Sequence, residues 1–570
     1  MQVLLCPGRV YLLGAMACAL GTADVEAGDY SRYSALLFAQ TGSLPNETQR
    51  NENGEVDPCD EGDKIITYIF SHHYRNFMPF AEIEARWQKA MRKQFLFLPV
   101  MKDEDIETVL ADLSRDGPIV TLENNGFQFD CQAFHRLAEN FGSEVSAVEV
   151  WDAFLNALLS EMDPHSYVVH PQAGDEFDEM VSGKAIGIGV EFERNSGGTF
   201  ISNVTDGSPA HLAGIGAGDE IVAVIVDGRR SPVREISITD VKRIFATHVG
   251  QSIELEINKK GGGSIRAFVT PGPVEVRFVS AQDLPGNLLY LHLTSFGLGA
   301  AQQLEAEIVK RPYLKGIILD LRFNPGGRVD VAGDVVDLFV DQGIVASPWN
   351  RVGKTPRNLA LFAHNPGVIT NVPVVVLVND FSGSASELVA QSFKDYGRGI
   401  VVGRTTWGKG SMAIVYPLFK NRYLVLTEYM YHTMSGVSPQ AVGVKPDIES
   451  RDVYVEQILE ERKLMVFHGA AVQPMREADY PFALPPVRPL IQEQREFLGG
   501  TVEPNPMAPL IASLPPGVRL EPRGAVGDPA LTVSMQVLKA YLERCGNYAA
   551  KTCPEPPVAG ARTPVALANR

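Results

Sequence analysis

The chain has 570 residues, 45% of them hydrophobic and 21% charged, with a formal net charge of −17. That length exceeds what one hydrophobic core sustains, so several domains of ordinary globular composition are expected. The acidic balance argues against nucleic acid as a partner, and no apolar run after residue 23 is long enough for an internal membrane span.

The N-terminus carries one positive charge at Arg9, then the apolar run Val10-Tyr11-Leu12-Leu13-Gly14-Ala15-Met16-Ala17-Cys18-Ala19-Leu20. A basic start, a short apolar core and small residues describe a secretory signal peptide over residues 1–23, so the protein is expected to be exported and periplasmic. Ala17-Cys18 is a fainter lipoprotein-like feature, and peripheral membrane association is compatible with it. Removal of the signal leaves Cys59, Cys131, Cys545 and Cys553, an even count compatible with two disulfides in any of three pairings. No Cys-x-x-Cys or His-Glu-x-x-His string occurs, so no metal and no cofactor is expected.

Residues 24–158 read as a mainly helical N-terminal region, irregular to about residue 60. Ile65-Ile66, Ile69-Phe70 and Tyr74 fall on one helical stripe, and Ile83, Ala85, Trp87 and Met91 do so more loosely. His72-His73 on such a helix reads as rim and surface. Residues 159–176 include Glu161-Met162-Asp163-Pro164-His165-Ser166-Tyr167, a proline-fixed turn whose Asp and Ser are suited to bonding local backbone.

Residues 177–272 are β-rich. Gly187-Ile188-Gly189-Val190 opens a strand, and Ser208-Pro209-Ala210, Ala213-Gly214, Gly218-Asp219-Glu220-Ile221 and Val226-Asp227-Gly228 follow. Taken in that order the strings resemble a PDZ domain. In that class a glycine-rich loop, here Gly187, Ile188, Gly189 and Val190, offers N–H groups to a peptide's terminal carboxylate, and the peptide adds as a strand at the sheet edge. Residues 236–245 would supply the helix lining that groove.

From residue 273 to 450 the pattern is α/β. Leu288-Leu289-Tyr290-Leu291-His292-Leu293 is a strand and residues 300–309 a helix. Gly316-Ile317-Ile318-Leu319-Asp320-Leu321-Arg322 is a second strand, ending in Phe323-Asn324-Pro325-Gly326-Gly327. Val374-Val375-Val376-Leu377-Val378 has the composition and length of a strand buried on both faces. Asn379-Asp380-Phe381-Ser382-Gly383-Ser384-Ala385-Ser386-Glu387 then turns into a helix, and Gly408-Lys409-Gly410 follows the run Ile400-Val401-Val402. A hydroxyl at a helix N-terminus sits beside unpaired N–H groups, which suits a nucleophile. A lysine acts as its base only when burial lowers its pKa toward neutrality. Equally, Ser384-Ala385-Ser386-Glu387 fits a capping box, in which Ser384 merely caps its helix.

These strings resemble the signature of the carboxy-terminal processing, or tail-specific, proteases. The resemblance covers about residues 160–450 and includes the Leu-Asp-Leu-Arg and Asn-x-Gly-Gly strings, Asp395-Tyr396-Gly397-Arg398 and Gly443-Val444-Lys445-Pro446-Asp447. It implies that Ser384 is the nucleophile, Lys409 its base at the family's spacing, and Gly326 or Gly327 with Ala385 the oxyanion donors. The implied architecture is α/β multidomain: a helical N-terminal region, then a PDZ-like β-rich domain inserted before a crotonase/ClpP-like α/β protease core. The implied partners are protein or peptide substrates with free C-termini, and an adaptor lipoprotein fits the same picture. One position departs from the pattern: the glutamine usual four residues after the lysine is Ala413, so Lys409 must be oriented by something else, Ser411 or packing. That departure keeps a second reading open, a catalytically impaired PDZ scaffold that only binds peptides. An acyl-CoA enzyme of the crotonase type lacks any phosphate-binding signature here. Residues 451–570 form a proline-rich C-terminal extension that favours irregular wrapping, with one last helix at about residues 530–543.

Overall fold

Val374–Val378 lies at the centre of a six-stranded sheet in the computed structural model. The structure describes residues 38–41, 58–74, 90–91, 94, 120–123, 126–141, 145–169, 183–195, 198–236, 238–355, 359–363, 369–418, 422–459, 476–480, 483–490 and 528–545. The signal-peptide reading, Ile83, Ala85 and Trp87, and most of the proline-rich stretch lie outside these residues.

The sheet runs in the order Val279–Leu284, Leu288–Leu293, Gly316–Asp320, Val374–Val378, Gly399–Gly403, Ile448–Glu449. The first pair is antiparallel and every later pair parallel. Three of the four inner strands, Gly316–Asp320, Val374–Val378 and Gly399–Gly403, are buried along their whole length, as unbroken apolar runs require. Alternate side chains explain how both faces are covered. Ile317, Leu319, Val374, Val376 and Val378 face the main core with the helices Ala300–Val309, Val329–Asp337 and Ala385–Asp395. Ile318, Val375, Leu377, Ile400 and Val402 meet Ala530, Val533, Val537 and Leu538 of the helix Pro529–Cys545. That last helix is therefore part of the core, contributing roughly 1.5–3 kcal/mol for each large apolar side chain it buries.

A second sheet, ordered Phe38–Thr41, Ser411–Leu418, Arg422–His432, Gly343–Asn350, Leu361–Ala363, carries Tyr167–Val169 on the Arg422–His432 strand. The N-terminal helices Pro58–His72, Cys131–Glu139 and Ala147–Ser160 pack into the main core through Ile66, Ile69, Phe134, Trp151 and Phe154. Cys131 is disulfide-bonded. His73 departs from the rim-and-surface reading. It is buried, and its Nε2 lies 2.5 Å from Asp163 Oδ2.

Residues 183–276 leave and rejoin the protease core through a two-stranded stem, Lys184–Gly187 antiparallel to Gly272–Glu275, closed by Val276 N–H donating to Gly183 O. Beyond the stem a separate sheet runs Ser264–Val269, Ile253–Asn258, Glu220–Val226, Gly198–Val204, Val190–Asn195. It encloses its own core, including Ile188, Ile201, Val224, Val241, Phe245 and Leu255. Such a stem lets a folded domain interrupt a sheet without disturbing its register.

Candidate active site

Two turns at the carboxyl ends of neighbouring parallel strands create the site, which is where α/β sheets expose backbone groups. The turn after Val374–Val378 is tied to the turn after Gly316–Asp320 by four bonds, one of them from Phe323 N–H to Asn379 Oδ1 at 3.2 Å. Ser382 Oγ donates to Leu321 O at 2.8 Å, Gly383 N–H to Asn324 O at 3.0 Å, and Ser386 Oγ to the same Asn324 carbonyl at 2.8 Å. This lacing forces Ser384 to φ 55°, ψ −108° immediately before the helix Ala385–Asp395. A non-glycine residue there stores about 1–3 kcal/mol of strain, held by its surroundings.

The capping-box reading is half met. Ser384 N–H donates to Glu387 Oε2 at 2.7 Å, but Ser384 Oγ makes no hydrogen bond among the described residues. Its hydroxyl is thus free for other work, in a fully buried position.

Lys409 sits on the loop between Gly399–Gly403 and Ser411–Leu418. The glycines beside it are needed for close approach. A Cβ on Gly410 would stand 2.4 Å from Ser438 Oγ and 2.8 Å from Gln440 N, and Gly408 has φ 101°. Lys409 is 1% exposed, and its Nζ has neither a hydrogen bond nor an ion pair among the described residues. Burial pushes its pKa down from 10.5 to about 8, against the opposing pull of Glu477, Asp163 and Glu387.

Two side chains hold the serine and lysine backbones together. Glu387 Oε2 accepts from Ser384 N–H and Lys409 N–H, each at 2.7 Å, while Oε1 accepts from Gly408 N–H at 2.7 Å and Thr406 Oγ1 at 2.5 Å. Burial raises the Glu387 carboxyl to about 7, opposed by these four donors. The single hydrogen of the Tyr431 hydroxyl is shared between Ser384 O at 3.0 Å and Lys409 O at 3.2 Å. Ser384 Oγ and Lys409 Nζ are not hydrogen-bonded to each other.

Gly326 and Gly327, at φ 115° and 141°, bring the first turn against the second. A Cβ on Gly326 would lie 3.0 Å from Ser384 Cβ and 3.1 Å from Ala385 N. The Gly326 N–H is already engaged by Asn324 Oδ1 at 2.9 Å. Among the described residues the N–H groups of Gly327 and Ala385 make no such bond, which leaves them as the candidate donors.

In the inserted domain, Val190–Asn195 pairs with Gly198–Val204 and is the last strand of its sheet among the described residues. Gly189, at φ 78°, packs so closely that a Cβ would meet Ser208 Cβ at 2.2 Å, and the Ile188 side chain lies in the domain core. The carbonyls of Ile188 and Gly189 accept from Ala210 and Thr205, fixing the loop. The helix Ile238–Thr247 buries Val241 and Phe245.

The profile of Peptidase family S41 matches residues 287–450, and that of a PDZ domain residues 200–259. A carboxy-terminal-processing protease of Bartonella bacilliformis is 31% identical over 316 residues, covering 54% of this chain and 70% of the relative. The chain belongs to the carboxy-terminal processing protease family. The carboxy-terminal processing protease CtpA of Bacillus subtilis is 27% identical over 324 residues, covering 56% of this chain and 68% of that protein. As a member of this family the chain is a serine-type peptidase acting on peptides, with a PDZ domain ahead of its protease domain.

Sequence reasoning missed several groups that this processing protease gathers at the site. Glu387 was visible only as a capping partner. Thr406, Tyr431, Gln440 and Glu477 gave no local signal, because their roles depend on contacts across long stretches of chain. Ser411, named as a candidate to orient Lys409, has a buried Oγ with no hydrogen-bond partner among the described residues. Ala413 packs in a small cluster with Val169, Val415 and Val425.

Proposed function

We propose that the protein is an exported serine endopeptidase that cleaves proteins near their C-termini with a Ser384–Lys409 dyad. A substrate's C-terminal end pairs along the strand Val190–Asn195, its carboxylate meeting N–H groups of the loop Gly187, Ile188, Gly189 and Val190. Ser384 Oγ attacks the scissile carbonyl carbon as Lys409 Nζ takes its proton. The N–H groups of Gly327 and Ala385 stabilise the oxyanion, each such donor being worth about 2.7–4 kcal/mol in comparable sites. The carbon–nitrogen bond then breaks as Lys409 returns the proton to the leaving amine. Water, deprotonated by the same amine, releases the acyl group and restores Ser384.

The observation that carries this reading is a buried lysine amine without a partner, its backbone sharing Glu387 Oε2 and the Tyr431 hydroxyl with that of an equally unpartnered serine. Leaving a cation buried and unpaired is costly, so such a site favours the neutral amine that a base must be. Both groups are covered, so a bound peptide must displace part of that cover before attack.

The test compares wild type with Ser384→Ala and Lys409→Ala on an unfolded protein, following new C-termini by mass spectrometry. Loss of cleavage in both variants supports the dyad. Undiminished cleavage in either overturns it, and absence of cleavage by wild type under every condition leaves the peptide-binding scaffold. Export is tested separately by fractionating cells that produce the full chain.

A further inference from the structure

Residues 476–480 lie beyond the matched protease domain, yet they reach the lysine's loop. Glu477 N–H donates to Trp407 O at 3.1 Å, on the N-terminal side of Lys409. Glu477 Oε1 accepts from Gln440 Nε2 at 3.0 Å, and Gln440 Oε1 in turn accepts from Gly410 N–H at 2.8 Å, on the C-terminal side. The loop carrying Lys409 is therefore bracketed by one residue and its relay. The second oxygen is also taken: Glu477 Oε2 lies 2.5 Å from His165 Nε2, and Tyr480 packs its ring against Trp407 and His165. Glu477 is fully buried, and no apolar wall has any use for a carboxylate there.

We propose that Glu477 is a positioning residue for Lys409, a carboxylate delivered by the C-terminal segment that fixes the lysine's loop and sets the charge it feels. The proposal rests on the reading of Lys409 as the base. Three carboxylates favour the protonated amine by their charge: Glu477, Asp163 and Glu387. Asp163 is held by His73, Ser166 and Thr427, and Glu387 by four donors from the serine–lysine framework. The Tyr431 hydroxyl lies between the two backbones. Among the carboxylates, Glu477 acts most strongly on the lysine, and His165 and Lys409 together hold its own carboxyl below the usual range despite burial. A charged Glu477 favours protonated Lys409, so its removal must make the amine lose its proton more readily. The C-terminal segment is on this account part of the catalytic unit.

The experiment is the pH profile of kcat and KM for the full-length protein, with Glu477→Gln, Glu477→Ala and Lys409→Ala measured together. A glutamine at that position has the same shape and keeps an oxygen to accept from Gln440 Nε2, so Glu477→Gln removes chiefly the charge. Its acidic limb is expected to shift by about one pH unit toward acid. Glu477→Ala also removes the brace, so its kcat is expected to fall at least about tenfold across the whole profile with little change in KM. If Lys409→Ala abolishes hydrolysis while both Glu477 variants keep the wild-type limb and kcat, this proposal is overturned alone. If Lys409→Ala still hydrolyses, the dyad reading is overturned and this proposal with it. Should Glu477→Ala not fold, the limb of Glu477→Gln decides by itself.

Discussion

Lys409→Met should make the protein inert and more stable at once. Methionine matches the length of the lysine stem but carries no charge to desolvate, and no hydrogen bond or ion pair at Nζ is lost. Below pH 8 the amine is protonated in both the folded and unfolded chain, and the folded form bears the whole penalty of the shift from 10.5 to about 8, on the order of 3 kcal/mol. The sign follows from linkage. Between about 8 and 10.5 the unfolded chain binds more protons than the folded one, so wild-type stability rises with pH through that window. The advantage of the variant should therefore be about 3 kcal/mol at pH 7 and shrink as pH climbs above about 8. Urea unfolding of Ser384→Ala against Ser384→Ala/Lys409→Met, at a series of pH values, measures this without self-digestion. Equal or lower stability of the methionine variant at pH 7 would refute the claim that Lys409 is held at a cost. So would a gain that ignores pH.

Peptidase activity should rise with pH through about 8 as Lys409 loses its proton, and a rate flat from about pH 5 to about pH 9 on a stable substrate would count against lysine as base. Gly326→Ala places a Cβ 3.0 Å from Gly383 O and Ser384 Cβ at φ 115°. It should cost about 1–3 kcal/mol of stability and lower kcat about a hundredfold, read by unfolding and initial rates. Asp163→Asn should destabilise the fold by about 3 kcal/mol at neutral pH, because His73 loses its buried charged partner. The Asp163 carboxyl is held well below 3.8 by His73, His165 and Ser166 despite desolvation. Its contribution is present above that value and lost in stronger acid, where the two unfolding curves should converge.

The sequence by itself determined what depends on short stretches of chain. Unbroken runs such as Val374-Val375-Val376-Leu377-Val378 can only be strands covered on both faces, because no solvent-facing position is left among them. The turn chemistry at Gly326, Gly327, Gly408 and Gly410 was legible too, since close backbone approach excludes a Cβ whatever the partner. What lay over the second face of the sheet was not legible, and the helix Pro529–Cys545 came to fill it from the far end of the chain. Tertiary structure alone packed the turn at Gly326 against Ser384 and Ala385. It alone buried His73, and it alone brought Glu387, Gln440 and Glu477 around Lys409. Electrostatic environment depends on distance in space and on exclusion of water, and neither is written in local residue order.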